Sequence, residues 1–277
     1  MTVLLGLLAA LSVGTSDFLG GLASRRADPV VVTAVSSLVG LLLALVASLV
    51  AVGEVRLVDL AWGALGGVVL AAGLVALYAG YARARVSIAA PVAGVGAAAL
   101  PVIVASVFGE DTLSPTATAG VLLGLLAIGL VSVARSDQRG SAGSSVLYGL
   151  GGAVGVGMLL VCLANTAEDS GLWPIVAARG SGFVVLAVII AAKRFPLSTS
   201  RGVWLHVIGI AALVTAGNTL FLAASRLGST SVAAVLASLF PAATVFWAWL
   251  VFRERLRKVQ MLGLGIALMA VALIVAG

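Results

Sequence analysis

The sequence predicts an all-α polytopic membrane protein: ten transmembrane helices arranged as two inverted five-helix repeats. Three observations lead there: a composition that no water-filled surroundings would tolerate, ten apolar windows of membrane-spanning length, and one stretch that occurs twice. Of 277 residues, 62% are hydrophobic and 9% charged, with mean hydropathy +1.24. Soluble domains are about 25% charged. A chain this apolar has lipid as its solvent.

The repeated stretch organises the chain. Its first copy opens Ser87-Ile88-Ala89-Ala90 and closes Val107-Phe108-Gly109-Glu110; its second opens Ser231-Val232-Ala233-Ala234 and closes Val251-Phe252-Arg253-Glu254. One copy slides onto the other by 144 positions (231 − 87 = 144), and nine of 24 aligned pairs are then identical. Five of those are Ala, so the weight rests on the Ser, Phe and Glu anchors. Internal repetition of this kind fixes an architecture before any single motif does.

A membrane helix needs about 20 apolar residues at 1.5 Å rise each. The windows run over 2–23, 30–52, 60–82, 87–108, 116–134, 145–166, 172–192, 202–225, 229–252 and 258–276. Met1 to Val13 lacks the basic segment of a cleaved signal peptide and reads as the start of the first helix. The connections are short and carry charge, Pro or Gly. The longest, rich in Ser, Gly and charge, follows helix five and separates the halves, giving repeats at 1–136 and 145–277 with a linker at 137–144.

Thirteen of the 16 Lys and Arg residues fall in the loops after helices one, three, five, seven and nine, against Arg56 and Arg226 on the opposite side. The positive-inside rule places the thirteen in the cytoplasm and both termini on the non-cytoplasmic side of a plasma membrane. Five helices per half is an odd number, so similar halves lie inverted. The repeat agrees: its first copy exits into acidic Glu110-Asp111, its second into the basic run Arg253 to Lys258. Inverted repeats place a substrate site near the midplane between them.

These features resemble the drug/metabolite transporter superfamily in its ten-helix form with two EamA-like repeats. The two repeat copies carry the resemblance, with Gly14-Thr15-Ser16 in helix one and the Glu254-Arg255-Leu256 exit towards Gly263 in helix ten. It covers the whole chain and implies a secondary transporter, often an exporter, of amino acids, metabolites, drugs or sugar nucleotides. Typical repeats place a Pro about a dozen residues before the loop Glu, where it kinks the helix. Pro241 fits that spacing, whereas Pro101 sits closer to Glu110. Family members often carry an Arg in helix two that this chain lacks; its second-half counterpart is Arg179.

Asp17 lies deep in helix one, on a stripe of small residues: Ala10, Gly14, Gly21 and Ser24. A charge at membrane depth costs about 2.5–3.5 kcal/mol on insertion scales, so it faces protein or water. Two readings stand: a proton, cation or ammonium site coupled to transport, or a carboxylate near the cytoplasmic end paired with Arg25 or Arg26. Arg179 is the one basic residue inside a window. It either recognises a carboxylate or phosphate or pairs with Glu168, Asp169 or Asp17. Asn165, on a stripe with Gly151, Gly155 and Cys162, and Asn218, on one with Ala211 and Thr215, either bind substrate or bond a neighbouring helix. Tyr78 and Trp247 either line a cavity or belong to interfacial belts. His206 reads as an interfacial residue. The glycines at 66, 73 and 80 of helix three read as helix-packing positions.

One cysteine and one histidine exclude a disulfide, a Cys cluster and a His relay. The basic residues form no face, which excludes nucleic-acid binding. No Walker A, HExxH or Gly-x-Ser-x-Gly sequence occurs, so neither ATP-driven pumping nor hydrolysis is expected, and no cofactor or metal. The sequence therefore predicts a non-enzymatic transporter of a small organic metabolite or drug, working as a monomer or homodimer in the bilayer by alternating access. A lipid or polyprenyl-phosphate flippase and a non-transporting scaffold subunit are the other readings.

Overall fold

A computed structural model describes residues 1–50, 53–108, 114–132, 141–196, 201–227, 236–237, 239–253 and 258–276. Among them are ten α-helices and one short 3₁₀ turn: α1 Thr2–Ala23, α2 Pro29–Val50, α3 Leu57–Arg83, α4 Val86–Phe108, α5 Pro115–Ser132, α6 Ala142–Ala164, α7 Trp173–Lys193, α8 Arg201–Leu227, α9 Phe240–Phe252 and α10 Lys258–Ala276. Eight are long and apolar enough to cross a membrane; α5 and α9 are shorter apolar helices. Ser231, Glu110 and Glu254, three anchors of the repeat, lie outside the described residues, as does the first half of the linker, 137–140.

Local sequence sets the helix starts. Asp28 accepts from the Val30 amide at 2.9 Å just before Pro29 opens α2. Ser114 accepts from the Ala117 amide at 3.0 Å ahead of Pro115 and α5, and Ser141 from the Ser144 amide at 3.0 Å ahead of α6. Each side chain satisfies an amide that the helix leaves open, and Pro at the first position loses no hydrogen bond. The two copies of the repeat differ at their prolines. Pro91 and Pro101 stand inside α4, whereas Pro241 stands in the first turn of α9.

The hydrophobic pattern of a soluble protein is turned outward. Leu4, Leu7, Leu11, Leu42 and Val46 are exposed, while the buried positions of α1 are largely Gly and Ala. Lipid offers no hydrophobic drive between helices, so association relies on close packing at small residues. In α3 this is literal. A Cβ at Gly67 would lie 2.0 Å from the Ala178 carbonyl oxygen of α7, and one at Gly73 would lie 2.5 Å from the Gly155 Cα of α6.

The packing repeats with the halves exchanged. Gly73 of α3 meets α6 at Gly155; Gly217 of α8 meets α1 around Ala9 to Val13, and both pairs run antiparallel. Those glycines are separated by the repeat offset (217 − 73 = 144). Gly157 of α6 meets α4 at Ala97 and Leu100, and Gly14 of α1 meets α9 at Ala243 and Thr244, both parallel. The pairs that exchange with themselves, α2 with α7 and α5 with α10, are antiparallel. Exchange of inverted halves requires that orientation. The two repeat copies touch where a Cβ on Gly94 would meet the Pro241 ring at 2.5 Å.

Gly67→Val drives a branched side chain into a backbone carbonyl and should destabilise the fold by about 3 kcal/mol or more. Gly129, with nothing within 4 Å of its would-be Cβ, should accept Val with little change. Melting of the two purified variants in detergent checks the contrast.

Candidate functional site

The interior of the bundle gathers α1, α3, α7 and α9 around one aromatic cluster. On α1, Gly20 lies under the Tyr78 ring and Gly21 under Tyr81, with would-be Cβ distances of 2.3 and 2.4 Å. Asp17 stands one turn before them, half-buried. The small stripe of α1 is thus what lets two tyrosines of α3 close on the carboxylate. Tyr78 and Tyr81 are both buried, and both lie within electrostatic reach of Asp17.

Arg179 enters from α7. Its Cδ and Nε lie 3.4 Å from the Cβ position of Gly40 on α2. The guanidinium therefore lies against α2 at Gly40, at van der Waals distance. Arg179 also lies within electrostatic reach of Tyr78. Asp17 and Arg179 so stand about one phenol, and neither forms a salt bridge among the described residues. The ion pairs there are those of Arg56, with Glu54 at 3.0 Å and with Asp169. Both pairings expected as structural alternatives are therefore absent where described: Asp169 is held by Arg56, and Asp17 has no ion pair with Arg25 or Arg26. The Glu168 side chain lies outside the described residues. Arg56 is exposed, and its hydrogen bond to Glu54, followed by the charge of Asp169, raises its pKa above the usual arginine value.

Trp247 closes the cluster from α9. Its Nε1 donates to Thr15 Oγ1 at 2.8 Å, and Thr15 in turn donates to the Leu11 carbonyl at 2.6 Å. The Thr244 hydroxyl donates to the Gly14 carbonyl at 3.1 Å. Phe18 stacks on Trp247 at 6.3 Å and tilts on Phe252 at 4.9 Å. The Arg25 guanidinium covers Phe252 at 3.1 Å from the ring centroid, and its Nη2 donates to the Tyr81 carbonyl at 3.4 Å. Thus Trp247 is packed and hydrogen-bonded against Thr15 and Phe18 of α1.

Four of the six sequence-predicted residues, Asp17, Tyr78, Arg179 and Trp247, come together. Two do not. Asn165 is exposed at the end of α6, and its Nδ2 donates to the Val161 carbonyl of its own helix at 2.9 Å. That end adjoins the start of α3, far from Tyr78. Asn218 is exposed on α8 beside the Gly217 contact with α1. The half-buried His206 bonds the Gly202 carbonyl of its own helix. Asp59 is a buried carboxylate that sequence reasoning left in a loop. It accepts from the Ser170 hydroxyl and from the Ala167 amide at 3.4 Å, pinning the start of α3 to the α6–α7 turn; a window beginning three residues earlier exposes it as a first-turn helix acid. Among the described residues no three His, Cys, Asp or Glu side chains cluster as metal ligands. A recess of about 370 Å³ opens between α3 and α6 around Gly73, Gly151 and Gly155, with no polar side chain.

Residues 143–276, spanning α6 to α10, match the EamA-like transporter family. The match covers 134 of the 277 residues, and eight of the described helices are long and apolar enough to cross a membrane. No curated protein matches the sequence significantly. A solved crystal structure aligns over 99% of this chain and 96% of its own length, with TM-score 0.65 and 18% identity. At that identity the likeness is one of fold.

Thr15→Val leaves the Trp247 indole N–H without its acceptor inside the bundle. The expected loss is about 1–3 kcal/mol, and Trp247→Phe in the same background should recover part of it. A double-mutant cycle of thermal melts reads this directly.

Proposed function

We propose that the protein is a secondary transporter that exports a small organic metabolite across the plasma membrane by alternating access, with residues 1–136 and 145–277 acting as the two inverted halves and both termini outside. One observation carries this reading: a carboxylate from the first half and a guanidinium from the second stand about the same buried tyrosine without an ion pair among the described residues. Unpaired charges within a membrane bundle are expensive, and their use is to meet a ligand or an ion. Asp17 takes the cationic group or the coupling proton, Arg179 the anionic group, and Tyr78 and Trp247 form the walls between them. The exchange-symmetric packing supports rocking of one half against the other, since the contacts run over glycines that allow sliding.

The test is substrate flux in proteoliposomes of the pure protein over a broad metabolite panel, with and without a pH gradient. Wild type should accelerate flux of at least one compound. Asp17→Asn and Arg179→Gln should each lower that flux by more than about tenfold, because each leaves the opposite charge group of the cargo unmatched. Flux that is unchanged in both variants sinks the proposal, as does a wild type indistinguishable from empty liposomes.

A further inference from the structure

Resting on that reading, we infer that the bundle stands open at the face of the α6–α7 turn, and that Thr215, Asn218 and Thr219 of α8 line the aqueous path along which cargo passes between that face and the interior. The two halves differ at the positions that would close such a path. The offset of 144 pairs Gly20, Gly21, Ala71, Leu74 and Val75 of the first half with Ala164, Asn165, Thr215, Asn218 and Thr219 of the second. In the first half these positions are covered. Gly20 and Gly21 lie under the Tyr78 and Tyr81 rings. Ala71 is buried with Ala34 of α2 and Leu186 of α7, Val75 packs on that cluster, and Leu74 packs on the cluster that holds Tyr78. In the second half all five positions are exposed. Helix packing differs in step. α3 packs on α1 and α2 as well as on α6 and α7, so exchange of the halves would seat α8 on all four. Among the described residues α8 packs on α1 and α2 and has no comparable packing on α6 or α7. The end of α3 near Tyr81 is therefore shut against its neighbours, and the part of α8 from Thr215 onward stands off α6 and α7.

The uncovered face meets water rather than lipid. Lipid-facing positions agree between the halves: Val68 and Ala72 of α3 are exposed, and so are their equivalents Ala212 and Ala216 of α8. Thr215, Asn218 and Thr219 follow at spacings of three and four, beside that stripe. They carry two hydroxyls and an amide where α3 carries Ala, Leu and Val. The hydroxyls donate to the Ala211 and Thr215 carbonyls, both at 2.9 Å. Helical threonines do this in lipid as well, so the weight rests on Asn218, whose exposed amide would forfeit its hydrogen bonds with water if it were turned to hydrocarbon. Closing α8 on α6 and α7, with α3 drawn off α1 and α2, exchanges the roles of the halves and opens the opposite face.

The experiment is labelling of the full chain in nanodiscs with a cationic, membrane-impermeant methanethiosulfonate, read by mass. Cys162, the one native cysteine, is first removed by Cys162→Ala. In that background Thr215→Cys and Asn218→Cys should label at least about tenfold faster than Ala71→Cys and Leu74→Cys, which sit behind packed helices, and than Ala216→Cys, which faces lipid. The reagent attacks a thiolate, and a thiolate needs water. Thr219→Cys serves if either α8 variant does not fold. The attached group should also stop flux of any compound that the unlabelled variant transports, by wedging α8 open, while the same treatment of Ala216→Cys leaves flux unchanged. Labelling at Thr215→Cys and Asn218→Cys no faster than at Ala216→Cys puts the face in lipid and overturns the inference. Equal rates at the α3 and α8 positions overturn the asymmetry. Either result with flux intact leaves the transport reading standing. The expected labelling pattern with no flux of any compound sinks that reading and, with it, the assignment of a cargo path.

Discussion

Backbone-to-backbone contact at the glycines of α3 is the constraint on which the rest of the bundle depends. In water, apolar side chains would hold ten helices together by leaving solvent. In lipid that drive vanishes between helices, and dispersion at close range takes its place. Gly63, Gly67 and Gly73 let α7 and α6 approach α3 until main chains touch. That approach places Arg179 over Gly40 and brings the tyrosines of α3 against Gly20 and Gly21 of α1. The charged site is a product of small residues elsewhere.

The same economy explains the asymmetry of the site within a symmetric scaffold. The repeat offset maps Gly73 onto Gly217, so packing contacts recur in both halves. It maps Asp17 onto Val161 and Arg179 onto Val35, so the charges do not recur. Backbone geometry was kept in duplicate because both halves need to pack. On the transport reading proposed above, a cargo with one positive and one negative end meets each counter-charge once, and a second copy of either would stand unpaired in an apolar interior.

Helix number and the 144-residue offset were legible because lipid imposes length and apolarity on every span, and because the Ser, Phe and Glu anchors survive at fixed separation. Asp17 and Arg179 were legible for the same reason: a charge inside a span has few explanations. The asparagines stand apart from the cluster, because a stripe of polar and small residues tells which side chains share a face but not which neighbour that face meets. Asn165 sits where α6 ends, and its amide turns back to its own helix. Asp59 was overlooked through a boundary error of three residues, since a helix start within a charged loop leaves no hydrophobic signal.

The length of α3 has a mechanical consequence. Asp59 fastens one end to the α6–α7 turn, Tyr78 packs on Gly20 of α1 near the other, and nineteen residues separate them, about 28 Å along a straight helix. Gly67 and Gly73, where the rod rests on its neighbours, lie between the two. The helix is a lever with its fulcrum near the middle. Any tilt about that fulcrum moves Asp59 and Tyr78 in opposite directions, so the α6–α7 turn at one end and the buried tyrosine near the other cannot be displaced independently.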